Sequence, residues 1–220
     1  MYSLVRYIDP EGRSTDGLVD WCYSGEEARA ALMFHNLVTH STLMFRRECA
    51  PSPTYASEFT RCEDYNLIAQ LADSRGGLRA IPRRLVAYRI HASNATKSSG
   101  AEMKSLSRRL RSRLLSRAGL NPTSSELDLH DCFEGGAFDP TRALHRRLLE
   151  WVEHLREAVR RSGNIELRAF DRVLGDEWLS LSHRFAVHGR EAWRVYREGP
   201  GVSSLPSLPS VVSLWIKAFR

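Results

Sequence analysis

The chain has 220 residues, and 32 lysines and arginines against 26 aspartates and glutamates give it a formal charge of +6. Hydrophobic residues make up 42% and charged residues 26%, which excludes collagen, disulfide-rich miniproteins and wholly disordered chains. The four cysteines form no C-x-x-C pair, and neither a secretory signal nor an unbroken apolar span is present. These features predict a cytoplasmic protein that is at most peripheral, at the inner face of the membrane.

The first hundred residues alternate strand and helix signals. Tyr2 to Ile8 predicts a strand, which a turn at Asp9 to Gly12 closes. Ser24 and Glu27 have the spacing of a capping box and predict a helix after them. The apolar run Thr42 to Phe45 favours a buried strand, although its pattern also fits a helix.

Two further elements complete this part of the chain. Apolar residues at helical spacing from Asp64 to Ala72 predict a helix that ends at Gly76-Gly77. Leu85 to Ile90 predicts a second strand, and a polar loop, His91 to Asn94, follows it. Strands that alternate with helices are typical of an α/β fold.

A basic amphipathic helix comes next. The segment from Lys104 to Arg117 has leucines at every fourth position and ends at Gly119. It contains six basic residues and no acidic one: Lys104, Arg108, Arg109, Arg111, Arg113 and Arg117. Such helices usually present a solvated face, but they also suit an anionic membrane.

The remaining sequence has helical signals only. Thr123 to Glu126 predicts a capping box, and Asp139-Pro140 predicts an N-cap with proline at the first helical position. Two long helices with apolar faces are expected to end at Gly163 and Gly189. In the tail, a loop rich in serine and proline precedes Val211 to Phe219, which predicts one docked turn or strand. The predicted division is 1–98, 99–198 and 199–220.

Three polar clusters lie at the ends of predicted elements of the first region. They are His35-Asn36 with His40 to Thr42, then Glu63-Asp64, then His91 with Asn94. Paired carboxylates followed by a histidine can supply a general base and a metal ligand. The same carboxylates can also simply cap a helix, and the histidines and Thr42 can satisfy turns and backbone groups.

Read in chain order, the clusters and their neighbours resemble the latter half of a family 2 glycosyltransferase with a GT-A fold. The segments that carry the resemblance are His35-Asn36, His40 to Thr42, Met44 to Glu48, Cys62 to Tyr65 and Tyr88 to Asn94. The resemblance covers residues 1 to about 98, and the helical remainder is similar to the tail of many bacterial members. It implies an α/β fold, α+β in this fragment, with a partial GT-A sheet before an all-helical C-terminal region.

The resemblance also implies an activity and a site. The activity is inverting transfer of a sugar from a nucleotide sugar to a glycan or lipid-linked acceptor, in cell-surface polysaccharide or glycoconjugate assembly. Asp64 becomes the catalytic base with Glu63 as its neighbour, and His91 a ligand of Mg²⁺, Mn²⁺ or the diphosphate. The implied substrate-binding residues are His40, Thr42, Arg47, Tyr65 and Asn94.

One motif of that family is absent from this sequence. Family members hold the metal and the nucleotide sugar with an Asp-x-Asp element in an N-terminal half, and no Asp-x-Asp occurs in the 220 residues. The chain is therefore expected to be a truncated or split transferase, with little activity unless a separate polypeptide completes the cleft. An exposed sheet edge would then favour association with that partner or self-association.

The alternative function is a non-catalytic basic helical module. Arg108, Arg109 and Arg113 would then contact an anionic membrane or a protein partner. Nucleic acid is not an expected partner, because the sequence has no helix-turn-helix or zinc-finger pattern.

Overall fold

A computed structural model describes residues 1–15, 22–91, 100–135, 138–200 and 208–219 of the chain. About 60% of the protein is helical and two strands form a small parallel sheet, so the fold is mixed α+β. The chain forms two compact units, of which the first comprises Met1–Leu32 and Asn36–Arg111. The second comprises Met33–His35 and Ser112–Arg220. The division at residues 98 and 198 stays a prediction.

The first unit contains the sheet. Strand β1 (Tyr2–Ile8) lies parallel to strand β2 (Ala80–Arg89), and Val5 is opposite Val86. Parallel neighbours need a crossover connection, and the 71 residues between the two strands (80 minus 8 minus 1) supply it. Both predicted strands are confirmed, although β2 begins five residues before Leu85.

Two α-helices lie within the described part of this crossover. Helix α1 (Glu26–Ala31) has Gly25 as its N-cap, without a capping side chain. The predicted capping box at Ser24 is therefore wrong, because Ser24 Oγ instead accepts a hydrogen bond from Ala80 N, at 2.9 Å. Helix α2 (Glu63–Asp73) confirms the other predicted helix of this region.

The predicted strand from Thr42 to Phe45 does not form. His40–Thr42 is a short 3-10 helix, and Thr42 Oγ1 donates to Thr39 O at 2.8 Å. Beyond it, only Met44 exchanges backbone hydrogen bonds with Met1, and its side chain is 69% exposed. A single backbone-paired residue next to the start of β1 does not make a strand, because a strand needs a series of such hydrogen bonds.

Helix α3 (Gly100–Arg117) confirms the predicted basic helix, and the division between the two units falls after its Arg111. The helix ends before Gly119, whose φ is +89°. A Cβ atom at Gly119 would lie 2.8 Å from Ser162 Cβ, so this turn has no room for a larger residue.

The second unit is helical throughout its described residues. After the end of α3, its elements are α4 (Ser124–Asp131), a 3-10 helix at Cys132–Glu134, α5 (Arg142–Ser162), α6 (Leu167–Ser182), a 3-10 helix at His183–His188, α7 (Arg190–Glu198) and α8 (Leu208–Phe219). Helix α5 confirms the first predicted long helix, which ends before Gly163 as expected. Helix α6 confirms the second, but it ends at Ser182, and the 3-10 helix His183–His188 occupies the stretch before Gly189 that was expected to be α-helical. The buried faces of α5 and α6 include Leu148, Trp151, Leu155, Phe170, Leu174 and Trp178, and burial of such faces supplies most of the stability of a helical core.

Of the two helix N-caps that the sequence predicts in this unit, one is confirmed. Thr123 forms the predicted capping box with Glu126. At α5 the N-cap is Thr141, whose Oγ1 accepts from Leu144 N at 3.2 Å, so the predicted cap at Asp139 is wrong. Pro140 therefore precedes the N-cap residue. Its fixed φ restricts the backbone that leads into α5 and not the first turn of the helix.

The tail also differs from the prediction. Leu208–Phe219 forms helix α8, whereas a single turn or strand was expected from Val211. Leu214 and Ala218 are buried and lie four residues apart, so one face of α8 packs at helical spacing.

Candidate functional site

The Glu63-Asp64 pair opens helix α2, and a side chain from another predicted cluster contacts it. Asn36 Nδ2 donates to Asp64 Oδ2 at 3.3 Å, and Asp64 Oδ1 accepts from Tyr65 N at 2.7 Å. Asn36 is itself held, because its Oδ1 accepts from Val38 N at 3.2 Å. The carboxylate of Asp64 is thus half-buried and oriented at both oxygens.

Neither carboxylate is the N-cap residue, which is Cys62 and provides no side-chain cap. Asp64 still accepts one first-turn N–H, a location where the helix dipole favours an anion. Glu63 differs, because its Oε2 atom is buried and has no hydrogen-bond partner among the described residues. A buried carboxylate oxygen without a hydrogen-bond partner costs free energy.

The third ionisable group at the start of α2 is the thiol of Cys62, the N-cap residue. Burial, followed by the nearby charges of Asp64 and Glu63, raises the pKa of the Cys62 thiol to about 11. The thiol is therefore protonated at neutral pH, and a nucleophilic role is disfavoured. The carboxylates are the groups at this helix start that can accept a proton.

Tyr65 is buried at 2% exposure, and its hydroxyl donates to the backbone oxygen of Leu32. That contact ties the start of α2 to the end of α1. The hydroxyl already has a partner inside the first unit, and the role of Tyr65 in substrate binding stays a prediction.

The segment from His40 to Arg47 lies along another part of the first unit. His40 Nε2 is 3.2 Å from the Tyr55 hydroxyl, and both side chains are exposed. Arg47 is exposed in a 3-10 helix, Arg47–Cys49. The Met44 pairing with Met1 places this segment at the amino end of β1.

His91 follows β2, at the carboxyl edge of the sheet, and is exposed. A strand as long as β1 spans roughly 20 Å, so Met44 and His91 lie at opposite ends of the two parallel strands. Asn94 lies outside the described residues. The structure therefore joins Asn36 to Asp64 but does not gather the three predicted clusters at one edge.

The divalent metal that the resemblance implies has no ligand set in the described part of the chain. No group of three or more His, Cys, Asp or Glu side chains there is arranged to hold a metal ion. The metal-binding role of His91 therefore stays a prediction, and no step through a metal is derived for this chain.

The arginines of α3 have unequal environments. Arg109 donates to Glu58 O at 2.6 Å, and its guanidinium lies 4.8 Å from the centre of the Phe59 ring. Arg111 is 1% exposed, so the prediction of one solvated basic face fails at this residue. Arg108 is half-buried, and Arg113 is exposed in the second unit.

The second unit contains buried polar groups that sequence reasoning did not single out. Glu177 is 3% exposed on α6, and its Oε1 lies 3.3 Å from His35 Nδ1. Burial, with a smaller contribution from Asp176, raises the pKa of Glu177 to about 8. The sequence contains a sign of this burial. Glu177 follows Phe170 by seven positions and Val173 by four, which places it on the apolar face of the helix.

Two histidines of the second unit, His130 and His145, are buried. Trp151 Nε1 donates to His130 Nδ1 at 3.3 Å, so Nδ1 carries no proton and His130 Nε2 donates to Met33 O at 2.7 Å. His145 stacks on Phe185 at 4.1 Å between ring centres. Burial, with the charge of His188, lowers the pKa of His145 to about 4. These contacts make both rings part of the core.

None of the helices in the described ranges is both long and apolar enough to cross a membrane. Comparison with protein-family models, curated proteins and solved structures finds no match to this chain.

Proposed function

We propose that this chain provides the acceptor side of a glycosyltransferase of the family 2 type. It would act in cell-surface polysaccharide or glycoconjugate assembly, where a sugar passes from a nucleotide sugar to an acceptor hydroxyl with inversion. The substrate class and the GT-A relationship rest on the sequence resemblance. The observation that supports a site is the hydrogen bond from Asn36 to Asp64, which fixes a carboxylate at the start of α2.

In this proposal Asp64 is the general base. It takes the proton from the acceptor hydroxyl, whose oxygen forms a bond to the anomeric carbon as the bond to the nucleoside diphosphate breaks. The Asn36 amide and the Tyr65 N–H each occupy one carboxylate oxygen, which leaves further lone pairs for the incoming proton. A carboxylate held from two sides loses less freedom when the acceptor binds.

Donor binding is assigned in the proposal to another polypeptide. The sequence contains no Asp-x-Asp element, and the described residues include no cluster suited to a metal ion. The purified chain is accordingly expected to bind acceptors without turning over nucleotide sugars. The partner would supply the nucleotide pocket.

Acceptor binding tests the role of Asp64. Saturation-transfer NMR with a panel of mono- and oligosaccharides should detect acceptor binding by the purified chain, weakened severalfold in Asp64→Asn. Asp73→Asn, at the other end of α2, removes an ion pair with Arg29 and is the matched control that should bind normally.

Two results would count against the proposal. If no saccharide binds, or if both variants bind as the unchanged protein does, Asp64 has no acceptor role. If the purified chain alone consumes a nucleotide sugar at a robust rate, the assignment of donor binding to a partner is wrong.

The alternative role as a basic membrane-binding or partner-binding module receives less support from the contacts. Arg109 is committed to Glu58 and Phe59, and Arg111 is buried. Fewer charges of α3 are therefore available to an anionic surface than the sequence suggests. The cytoplasmic location stays part of the proposal.

A further inference from the structure

Residues 44–49 form a continuous exposed segment of the first unit. The segment is held beside the start of β1, because Met44 N donates to Met1 O at 2.9 Å. The Met44 side chain is 69% exposed, and that of the next residue, Phe45, is 36% exposed. A backbone that is hydrogen-bonded in place thus presents two neighbouring apolar side chains to solvent.

Arginines surround these two apolar side chains. Arg46 and Arg47 follow directly and are exposed, and Arg46 lies 3.6 Å from the exposed Glu48. Arg79 is also exposed, and its backbone oxygen accepts from Tyr2 N at 2.9 Å, which places it at the same end of the sheet. Three arginines and one glutamate give these four side chains a charge of +2 (3 minus 1).

An exposed tyrosine lies against the same part of the chain. Tyr55 is 48% exposed, its hydroxyl is 3.2 Å from His40 Nε2, and the two ring centres are 6.0 Å apart. His40 is connected to the segment, since its backbone oxygen accepts from Leu43 N at 3.0 Å. A tyrosine ring with an apolar body and a polar tip suits the boundary between hydrocarbon and water.

This combination of side chains matches the layers of a membrane surface. Met44 and Phe45 fit the acyl boundary, the arginines fit lipid phosphates, and Tyr55 fits the zone between them. An acidic peptide or a nucleic acid would match the arginines but would leave Met44 against charged groups. A second copy on this surface would bring like charges together, which is unfavourable.

We propose that this surface binds an anionic membrane, with Met44 and Phe45 among the lipid headgroups and Arg46, Arg47 and Arg79 on their phosphates. Neither part is strong alone, because two apolar side chains bury little area and charges at a surface are screened by salt. The contact is therefore reversible and depends on both parts. It uses none of the arginines of α3.

Vesicle flotation of the full chain tests the proposal. The protein should float with vesicles of phosphatidylglycerol and phosphatidylcholine in equal parts, should not float with phosphatidylcholine alone, and should bind less as salt is added. Backbone amides of residues 44–49 should exchange hydrogen more slowly on the anionic vesicles. The vesicles contain no saccharide, so the result does not depend on the acceptor role proposed for Asp64.

A pair of charge variants tests the arginines. Arg46→Glu/Arg47→Glu should weaken binding to the anionic vesicles by roughly twentyfold or more, since each basic side chain near such a surface contributes about fivefold. Arg160→Glu/Arg161→Glu makes the same change of charge at an exposed pair of α5 and should weaken binding much less. This comparison separates a local contact from the effect of net charge.

A second pair of variants tests the apolar contact. Met44→Ser should weaken binding by roughly threefold or more, because the side chain no longer gains from leaving water. Val187→Ser alters an apolar side chain of the second unit that is 76% exposed, and it should bind as the unchanged protein does.

Four results would overturn the proposal. These are failure to float with anionic vesicles, equal weakening in the two charge variants, full binding by Met44→Ser, and slowed exchange only outside residues 44–49. An oligonucleotide or a polyglutamate peptide that binds this segment when vesicles do not would assign the surface to a nucleic acid or to a protein instead.

Discussion

Glu177 illustrates how a single buried side chain can control the pH dependence of stability. In the folded protein its raised pKa, about 8, keeps the carboxyl protonated at neutral pH, whereas the ordinary value is 4.5. Unfolding therefore releases a proton between these values, and stability falls as pH rises through the window. His145 acts in the opposite direction from pH 6.5 down to about 4, because the folded protein keeps its ring neutral.

Above pH 6.5 the contribution of Glu177 is no longer opposed by that of His145. Between pH 6.5 and 8 the unchanged protein should lose roughly 2 kcal/mol relative to Glu177→Gln, since glutamine has no charge to bury. Urea unfolding of both proteins across this range measures the difference. Glu150→Gln, at an exposed position of α5, is the control and should follow the unchanged protein. A constant difference between Glu177→Gln and the unchanged protein would contradict the role of Glu177.

At the scale of the elements, the sequence predicts what depends on near neighbours. The Thr123 capping box joins residues three apart, and the apolar faces of α5 and α6 repeat within each helix. Both were predictable because propensity, capping and periodicity are local. The basic helix α3 and both strands of the sheet were likewise predictable from local patterns.

Two of the failures, at Ser24 and at Thr42 to Phe45, involve partners that are distant in sequence. Ser24 bonds to Ala80, 56 positions away, and Met44 pairs with Met1, 43 positions away. The hydrogen bond between Asn36 and Asp64 joins residues 28 positions apart. Both clusters could be identified from the sequence, but their contact could not be predicted. Local patterns cannot rank such partners, since tertiary contacts override weak propensities.

The cap of α5 can be tested directly. Thr141→Ala should destabilise the protein by about 1 kcal/mol, because it removes the hydroxyl that accepts from Leu144 N. Asp139→Ala, at the exposed position that the sequence favoured, should change stability by less than about 0.5 kcal/mol. Chemical denaturation of the two variants decides between the caps, and a larger loss in Asp139→Ala would contradict the structure.

At the scale of the whole molecule, a short early segment belongs to the later unit. Met33–His35 groups with Ser112–Arg220, although the residues on both sides belong to the first unit. Phe34 is fully buried there, with ring centres 5.2 Å from His130 and 5.3 Å from Phe133. The helical core of the second unit is therefore completed by a residue from the first sixth of the chain.

This arrangement predicts a large effect of Phe34→Ala on the second unit. Loss of a buried phenylalanine should cost about 3–5 kcal/mol, and tryptophan fluorescence should report it, since Trp151 and Trp178 lie in this core. Phe45→Ala removes a partly exposed ring of the first unit and should have a small effect. Equal unfolding midpoints for Phe34→Ala and the unchanged protein would contradict the assignment of this segment.

The position of Phe34 also has a consequence for synthesis on the ribosome. Phe170, another ring packed near Phe34 at 6.3 Å, is made 136 residues later (170 minus 34). At usual elongation rates, Phe34 waits on the order of 10 s before its core partners exist. During that interval Met33 and Phe34 lack the side chains that bury them in the folded protein.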